Sequence, residues 1–302
     1  MSSNIKVMLA PTAADARALA ATLLSAKVLF STVEAEYGSV VVEGTHETLA
    51  HHTGKWRENP APCNWKKLVV QPDGVIIISH IDLDTVGGVL ALMGLKPEND
   101  RFWAAAEYID LNGPHRMSDL DKDLQEMLNG FECWKANQKF RKVDGVVDVT
   151  SRIELFADML QELLAPQSPA EEKIRTRLLE EGAEWAERSA REVEECLGYE
   201  SDKLRIFVTR GVFCAASYWS PNRKVYVPTT LTLDTRSGSI TLANMDGTLD
   251  CCAVMQEAFG PEAGGHKGIA GTPRNERYSL SELMALPGFV SAKMREAQRQ
   301  KQ

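Results

Sequence analysis

The chain has no CxxC spacing and no dense cysteine framework. Its six cysteines, Cys63, Cys133, Cys196, Cys214, Cys251 and Cys252, are scattered, which makes reduced thiols in the cytoplasm the expected state. No apolar run approaches the ~18 residues of a membrane span, so no membrane partner is expected. The start of the chain reads as a strand, Ile5-Lys6-Val7-Met8-Leu9, and lacks the basic, apolar and small-residue order of a signal segment. Positive charge is also scarce: 34 Lys and Arg stand against 42 Asp and Glu, a formal charge of -8. That balance argues against a surface that tracks long duplex nucleic acid. It leaves small anions open, because metals and local arginines reverse the charge inside a cleft. Repeats and low-complexity stretches are absent.

With 302 residues and 44% hydrophobic content, the chain can bury large cores, and its length suggests roughly two domains. The first half alternates strands and helices, the pattern of an α/β doubly wound fold with a mostly parallel sheet. Ile5 to Leu9 precedes a helix from Thr12 to about Ser25, opened by Thr12 with Asp15 three residues on. Ser39 to Glu43, Lys67 to Val70 and Val75 to Ser79 read as further strands. Ser168-Pro169-Ala170-Glu171 is a strong helix start; the helix it opens is expected to reach Gly198 and to connect two domains. Short strands follow at Leu204 to Thr209, Val212 to Tyr218, Lys224 to Val227, Leu231 to Asp234 and Ser239 to Ala243. A hairpin turn at Thr235 to Gly238 joins the last two. A helix from Leu249 to Phe259 comes next. The expected organisation is an α/β domain over 1–167, a long connector helix over 168–199 and a smaller α/β domain over 200–302.

Residues 76 to 88, Ile-Ile-Ile-Ser-His-Ile-Asp-Leu-Asp-Thr-Val-Gly-Gly, carry the most chemistry. Val75 to Ile78 form the uninterrupted apolar run of a strand buried on both faces. Open α/β sheets bind their ligands at the carboxyl ends of such strands. Extended backbone at i, i+2 and i+4 points His80, Asp82 and Asp84 to one side, where they can converge on ions. Gly87 and Gly88 then start a helix whose amide end could accept a phosphate. The competing reading is that Asp82 or Asp84 merely caps this helix.

Ser-His-x-Asp-x-Asp-x-x-Gly-Gly over residues 79–88 resembles the first motif of the DHH phosphoesterases, in the branch that begins it with histidine. Far along the chain, Gly264-Gly265-His266-Lys267-Gly268-Ile269-Ala270-Gly271 is similar to the glycine-rich loop of the DHHA1 domain that follows the catalytic domain in those enzymes. The two motifs stand in the family's order and bracket most of the protein.

Three more positions follow from the resemblance. Asp110, after an expected strand Trp103 to Ile109, matches the strand-end aspartate that bridges metals; alternatively it and Asn112 only shape a turn before Pro114. Asp148 after Val146-Val147 is the best match to the fourth aspartate, with Asp144 behind it. The family's Asp-His-His has its counterpart in Ala50-His51-His52, displaced to a position before the first motif and without its carboxylate. Strand Val40 to Val42 is expected to bring that loop to the same sheet edge.

Imidazole and carboxylate ligands without thiolate suit Mn²⁺, with Mg²⁺ or another divalent ion as substitutes. The resemblance implies two ions held by His51, His52, His80, Asp82, Asp84, Asp110 and Asp148, with Asp84, Asp110 and His51 closest to the chemistry. Gly264, Gly265, His266 and Arg274 would bind substrate phosphate. The expected activity is hydrolysis of a phosphoester on a small nucleotide or short oligonucleotide. The second expectation, motivated by Ala50, is a nucleotide-binding or regulatory module that keeps the fold without catalysis. A homodimer stays open.

Overall fold

The structure is a computed structural model that describes residues 4–138, 145–274 and 276–300; Asp144 lies outside them. It divides into two compact units, one formed by Met1–Leu111 and Arg116–Ala186 and the other by Asn112–His115 and Glu187–Gln302.

The first unit is built on a five-stranded sheet. Its strands are β1 (Ile5–Leu9), β2 (Phe30–Val33), β5 (Thr48–Leu49), β6 (Gly74–Ile78) and β7 (Val147–Asp148), in the order β5-β2-β6-β1-β7. All neighbours are parallel except β7, which closes one edge antiparallel to β1. The short strands β3 (Glu36–Tyr37) and β4 (Val40–Val41) form a separate antiparallel hairpin, so the expected strand at residues 39–43 is not part of this sheet. Residues 67–70 form no strand, and Val69 and Val70 are exposed there.

Strand β6 shows why the fold is doubly wound. Ile76 and Ile78 enter a core with residues of α2 (Leu83–Met93), α3 (Asp100–Asn112), α4 (Lys122–Asn137) and α5 (Thr150–Leu164). Val75 and Ile77 point the other way, into a core with α1 (Ala13–Ser25). The period-two alternation of a strand sends successive side chains to opposite faces. Burial of each contributes about 1.5 to 3 kcal/mol, so a run of four apolar residues is needed where both faces are covered. Helix α1 is capped as its sequence indicates, with Asp15 N–H donating to Thr12 Oγ1 at 3.1 Å.

The segment 100–112 is helical, not a strand followed by a turn. Its apolar residues Phe102, Trp103, Ala105 and Ala106 lie on one helical face and are buried, while Arg101 and Ala104 are exposed; Asp110, four residues after Ala106, continues the buried stripe. The alanine-rich run read as a strand is equally suited to a helix, and burial on one stripe decides the matter.

Helix α6 (Pro169–Glu195) opens as expected, with Glu171 N–H donating to Ser168 Oγ at 3.2 Å. It ends before Gly198, because Leu197 to Glu200 form β8, which pairs with β9 (Leu204–Thr209).

The second unit holds a six-stranded sheet in the order β14-β15-β13-β12-β9-β8. Strands β12 (Thr229–Asp234) and β13 (Ser239–Asn244) form the expected hairpin, and β9 lies parallel to β12. Residues 212–218 form no strand; β10 (Trp219–Ser220) and β11 (Val225–Tyr226) make a small hairpin of their own. Helices α7 (Cys251–Phe259) and α8 (Leu280–Gln300) pack Val254, Met255, Leu283 and Val290 onto Ile206, Leu231, Leu233 and Leu242. Arg205, fully buried, is held by Glu194 at 2.7 Å and Glu200 at 2.9 Å and by the Ser217 and Trp219 carbonyls. Its donors are committed to the fold. Strand β14 (Gly264–Gly265) pairs with β15 (Ile269–Gly271). Among the described residues, no helix is long and apolar enough to cross a membrane.

Candidate metal centre

Three neighbouring strands of the first sheet, β5, β2 and β6, run parallel and release their chains at one edge. That edge is where the functional side chains gather. Strand β5 ends at Leu49 and delivers Ala50, His51 and His52; the loop therefore arrives from β5 and not from Val40 to Val42. Strand β2 ends at Val33 and delivers Glu34 and Glu36. Strand β6 ends at Ile78 and leads through His80 into α2, which carries Asp84.

His51 Nε2 is the meeting point. It lies 3.1 Å from Glu34 Oε1, 3.3 Å from Asp84 Oδ2 and 3.6 Å from Asp110 Oδ2. Asp110 reaches it from the last turn of α3. Glu34, His51 and Asp84 are 2%, 3% and 5% exposed. One imidazole nitrogen offers at most one hydrogen, so it cannot satisfy three carboxylate oxygens. Glu34 Oε1 and Asp84 Oδ2 accept no hydrogen bond of good geometry. Buried, incompletely compensated anions of this kind are costly.

The site's electrostatics express that conflict. Burial pushes the Asp84 carboxyl up to about 7, with Glu34 and Asp110 adding to the effect and His51 opposing it. Burial would lower His51, but hydrogen bonding and charge from Asp84 and Glu34 overcome it and raise the imidazolium to about 11. Glu34 is also resisted by burial, yet His52 and His51 hold it well below the usual carboxylate range.

A divalent cation resolves the conflict. Ligand bonds of about 2.1 Å place adjacent donors roughly 3.0 to 3.4 Å apart, close to the separations around His51. The donors are nitrogen and oxygen only, since the Cys63 thiol is turned to the Trp103 carbonyl at 3.8 Å. The residues present therefore fit a divalent metal ion.

The surrounding backbone holds these ligands in place. Glu36 accepts hydrogen bonds from the backbone N–H groups of His51, His52 and Thr53 at 2.9 to 3.2 Å, which fixes the histidine loop. Cys63 N–H donates to Asp84 Oδ1 at 2.8 Å, leaving Oδ2 toward His51. Glu107 ties the same segment through Ala61 N–H at 2.9 Å and Asn64 Nδ2 at 2.6 Å.

Gly87 and Gly88 do not start α2; they lie inside it. A Cβ on Gly87 would meet Cys63 Cβ at 2.5 Å and the Trp103 ring at 2.8 Å, and one on Gly88 would meet Pro62 Cβ at 2.7 Å. Their smallness serves close packing of the 61–64 segment rather than phosphate approach. The helix starts at Leu83 with Asp82 as its N-cap, accepting from Thr85 N–H at 2.9 Å. Extended spacing consequently stops before Asp84. His80 Nε2 pairs with Asp82 Oδ2 at 2.7 Å, so the contacts of these two residues differ from those that join Asp84 and Asp110 to His51. Asp148 is exposed and accepts from the N–H and hydroxyl of Thr150 at 3.0 and 2.6 Å, which ties it to the first residue of α5 and holds its carboxyl below the usual range.

In the second unit, Gly265 has φ +138, and a Cβ there would meet the Ile269 carbonyl oxygen at 2.6 Å. Pairing of β14 with β15 thus demands glycine before any ligand is considered. His266 follows in the turn and is half-buried, and Arg274 is exposed.

Glu34 escaped the sequence reading. The signal was a β-branched and aromatic run, Val28 to Val33, ending in Glu-Ala-Glu; nothing local tells such a glutamate from an ordinary surface acid.

No family model matches the chain, and no curated protein matches it. Among solved structures, it is similar to the pGpG-specific phosphodiesterase PggH from Vibrio cholerae, at 9% identity and a TM-score of 0.38, over 92% of this chain and 88% of that one. It is also similar to an uncharacterized protein from Helicobacter pylori G27, at 11% identity and a TM-score of 0.24, over 74% and 76% of the two chains. Both scores lie below 0.5, so the function of the site is argued from its own residues.

Proposed function

We propose that this chain is a metal-dependent phosphoesterase acting on a small nucleotide or very short oligonucleotide. The convergence of Glu34, Asp84 and Asp110 on the single Nε2 of His51 carries the reading, because a divalent cation bound there would take all of these donors at once. The two motifs that resemble DHH and DHHA1 sequences supply the substrate class. Mn²⁺ is the first choice of ion, with Mg²⁺ or another divalent metal as substitute. When bound, such ions supply Lewis acidity, which activates water and neutralises charge on an in-line phosphoryl transition state.

The chain's own groups have distinct tasks in this reading. His51, Asp84 and Asp110 present ligand atoms toward one point. Glu36 and the Cys63 N–H hold the histidine loop and Asp84 in register. Asp82 fixes the start of α2 and with it the direction of Asp84. The motif resemblance alone supports ligand roles for His80, Asp82 and Asp148. In the second unit, His266 and Arg274 are assigned to phosphate, with the Gly264 and Gly265 amides beside them.

The test is metal analysis of the purified protein together with a hydrolysis panel of phosphomonoesters and linear and cyclic dinucleotides. Turnover that is lost on chelation and restored by Mn²⁺ supports the proposal. Nucleotide binding without hydrolysis in the metal-loaded protein would instead favour the non-catalytic binding module.

A further inference from the structure

We infer that Glu34 is the carboxylate bridge of a two-ion centre, with His51, Asp84 and Asp110 on one side and His52 on the other; this rests on the metal-dependent reading above. The two oxygens of Glu34 address different histidines. Oε1 lies 3.1 Å from His51 Nε2, and Oε2 lies 2.5 Å from His52 Nε2. The two rings are themselves neighbours, with centroids 4.2 Å apart. A carboxylate that presents one oxygen to each of two ligand sets is suited to joining ions about 3.5 to 4 Å apart.

The neighbouring acid, Glu36, does not compete for this role. Its oxygens are occupied by three backbone N–H groups, whereas Glu34 Oε1 is 2% exposed at the residue level and accepts no hydrogen bond of good geometry. Asp84 Oδ2, likewise without one, faces the same His51 nitrogen.

The backbone suggests a decisive variant. Glu34 is left-handed, with φ +52, a conformation unfavourable for a residue with a Cβ. Glycine adopts it freely. Glu34→Gly removes the proposed bridge and that strain together with the counter-charge of His51 and His52, so a melting curve in chelator is read beside the metal titration to separate loss of metal from loss of fold.

The experiment uses the full chain, stripped by chelator and titrated with Mn²⁺ under equilibrium dialysis and electron paramagnetic resonance. The wild type is expected to hold two ions per chain with the exchange-coupled signal of a bridged pair. At temperatures below its own melting transition in chelator, Glu34→Gly should hold at most one ion and show no coupling. His52→Gln should retain one ion. A wild type that binds a single ion, or a coupled pair that survives Glu34→Gly, would overturn the bridge and leave metal dependence standing. A wild type that binds no divalent ion would overturn the metal-dependent reading itself.

Discussion

A Cβ on Gly87 would stand 2.5 Å from Cys63 Cβ, and through this packing a helix interior governs a carboxylate one turn away. The close approach lets Cys63 N–H reach Asp84 Oδ1 at 2.8 Å. Gly87→Ala must push the 61–64 segment off α2, because the obstructing atoms are a backbone-proximal carbon and a buried indole. Overpacking of this kind costs about 1 to 3 kcal/mol. The expected result is a lower melting temperature together with weaker Mn²⁺ binding. Weakened metal binding should persist well below the melting transition; stability loss with unchanged metal affinity would show that Cys63 does not position Asp84.

Asp84→Asn separates chemistry from folding. Asparagine keeps the oxygen that accepts the Cys63 N–H, so the packing of α2 survives. Burial already raises the Asp84 carboxyl to about 7, and loss of that buried charge should leave the metal-free protein at least as stable at neutral pH. Mn²⁺ binding and Mn²⁺-dependent hydrolysis should disappear. Unfolding of the variant without any effect on metal content would reduce Asp84 to a structural group.

Metal affinity should rise with pH. The His51 imidazolium, raised to about 11 by Asp84 and Glu34, must lose its proton before Nε2 can serve as a ligand. The sign follows from linkage: a folded-state value above the unfolded one favours the metal-free fold below the ordinary histidine range. That contribution is lost as pH rises through about 11. His51 releases one proton per ion across this range, about tenfold in affinity per pH unit, and below about 7 the Asp84 carboxyl releases another and steepens the dependence. Calorimetric titration near pH 6, 7 and 8, in buffers of different ionisation heat, measures both the slope and the protons released. Affinity that is flat across this range would remove His51 from the ligand set.

His266→Ala addresses the second unit. With His266, in the turn between β14 and β15, assigned to substrate phosphate, its loss should leave metal content intact. A charge-assisted phosphate contact is commonly worth about 1.5 to 3 kcal/mol, so kcat/KM on the true substrate should fall at least about tenfold. Unchanged kinetics, or loss of metal in this variant, would reassign the loop.

The apolar run at 75–78, the caps at Thr12 and Ser168 and the turn at 235–238 fix their elements locally, because periodicity, capping and turn chemistry act over a few residues. Such signals made the doubly wound class and the long helix legible, and the strand end at Ile78 pointed to Asp84, whereas the His51 segment was singled out by its resemblance to the DHH motif. They could not decide whether Trp103 to Asp110 is strand or helix, since one-sided burial settles it. Nor could they place the glycines of α2, whose role depends on a segment some twenty residues earlier in the chain. Glu34 depends on tertiary structure most of all. Its meaning comes from β2 lying between β5 and β6, an order set by which strands bury their faces together, and only that order brings its carboxylate against His51, His52 and Asp84.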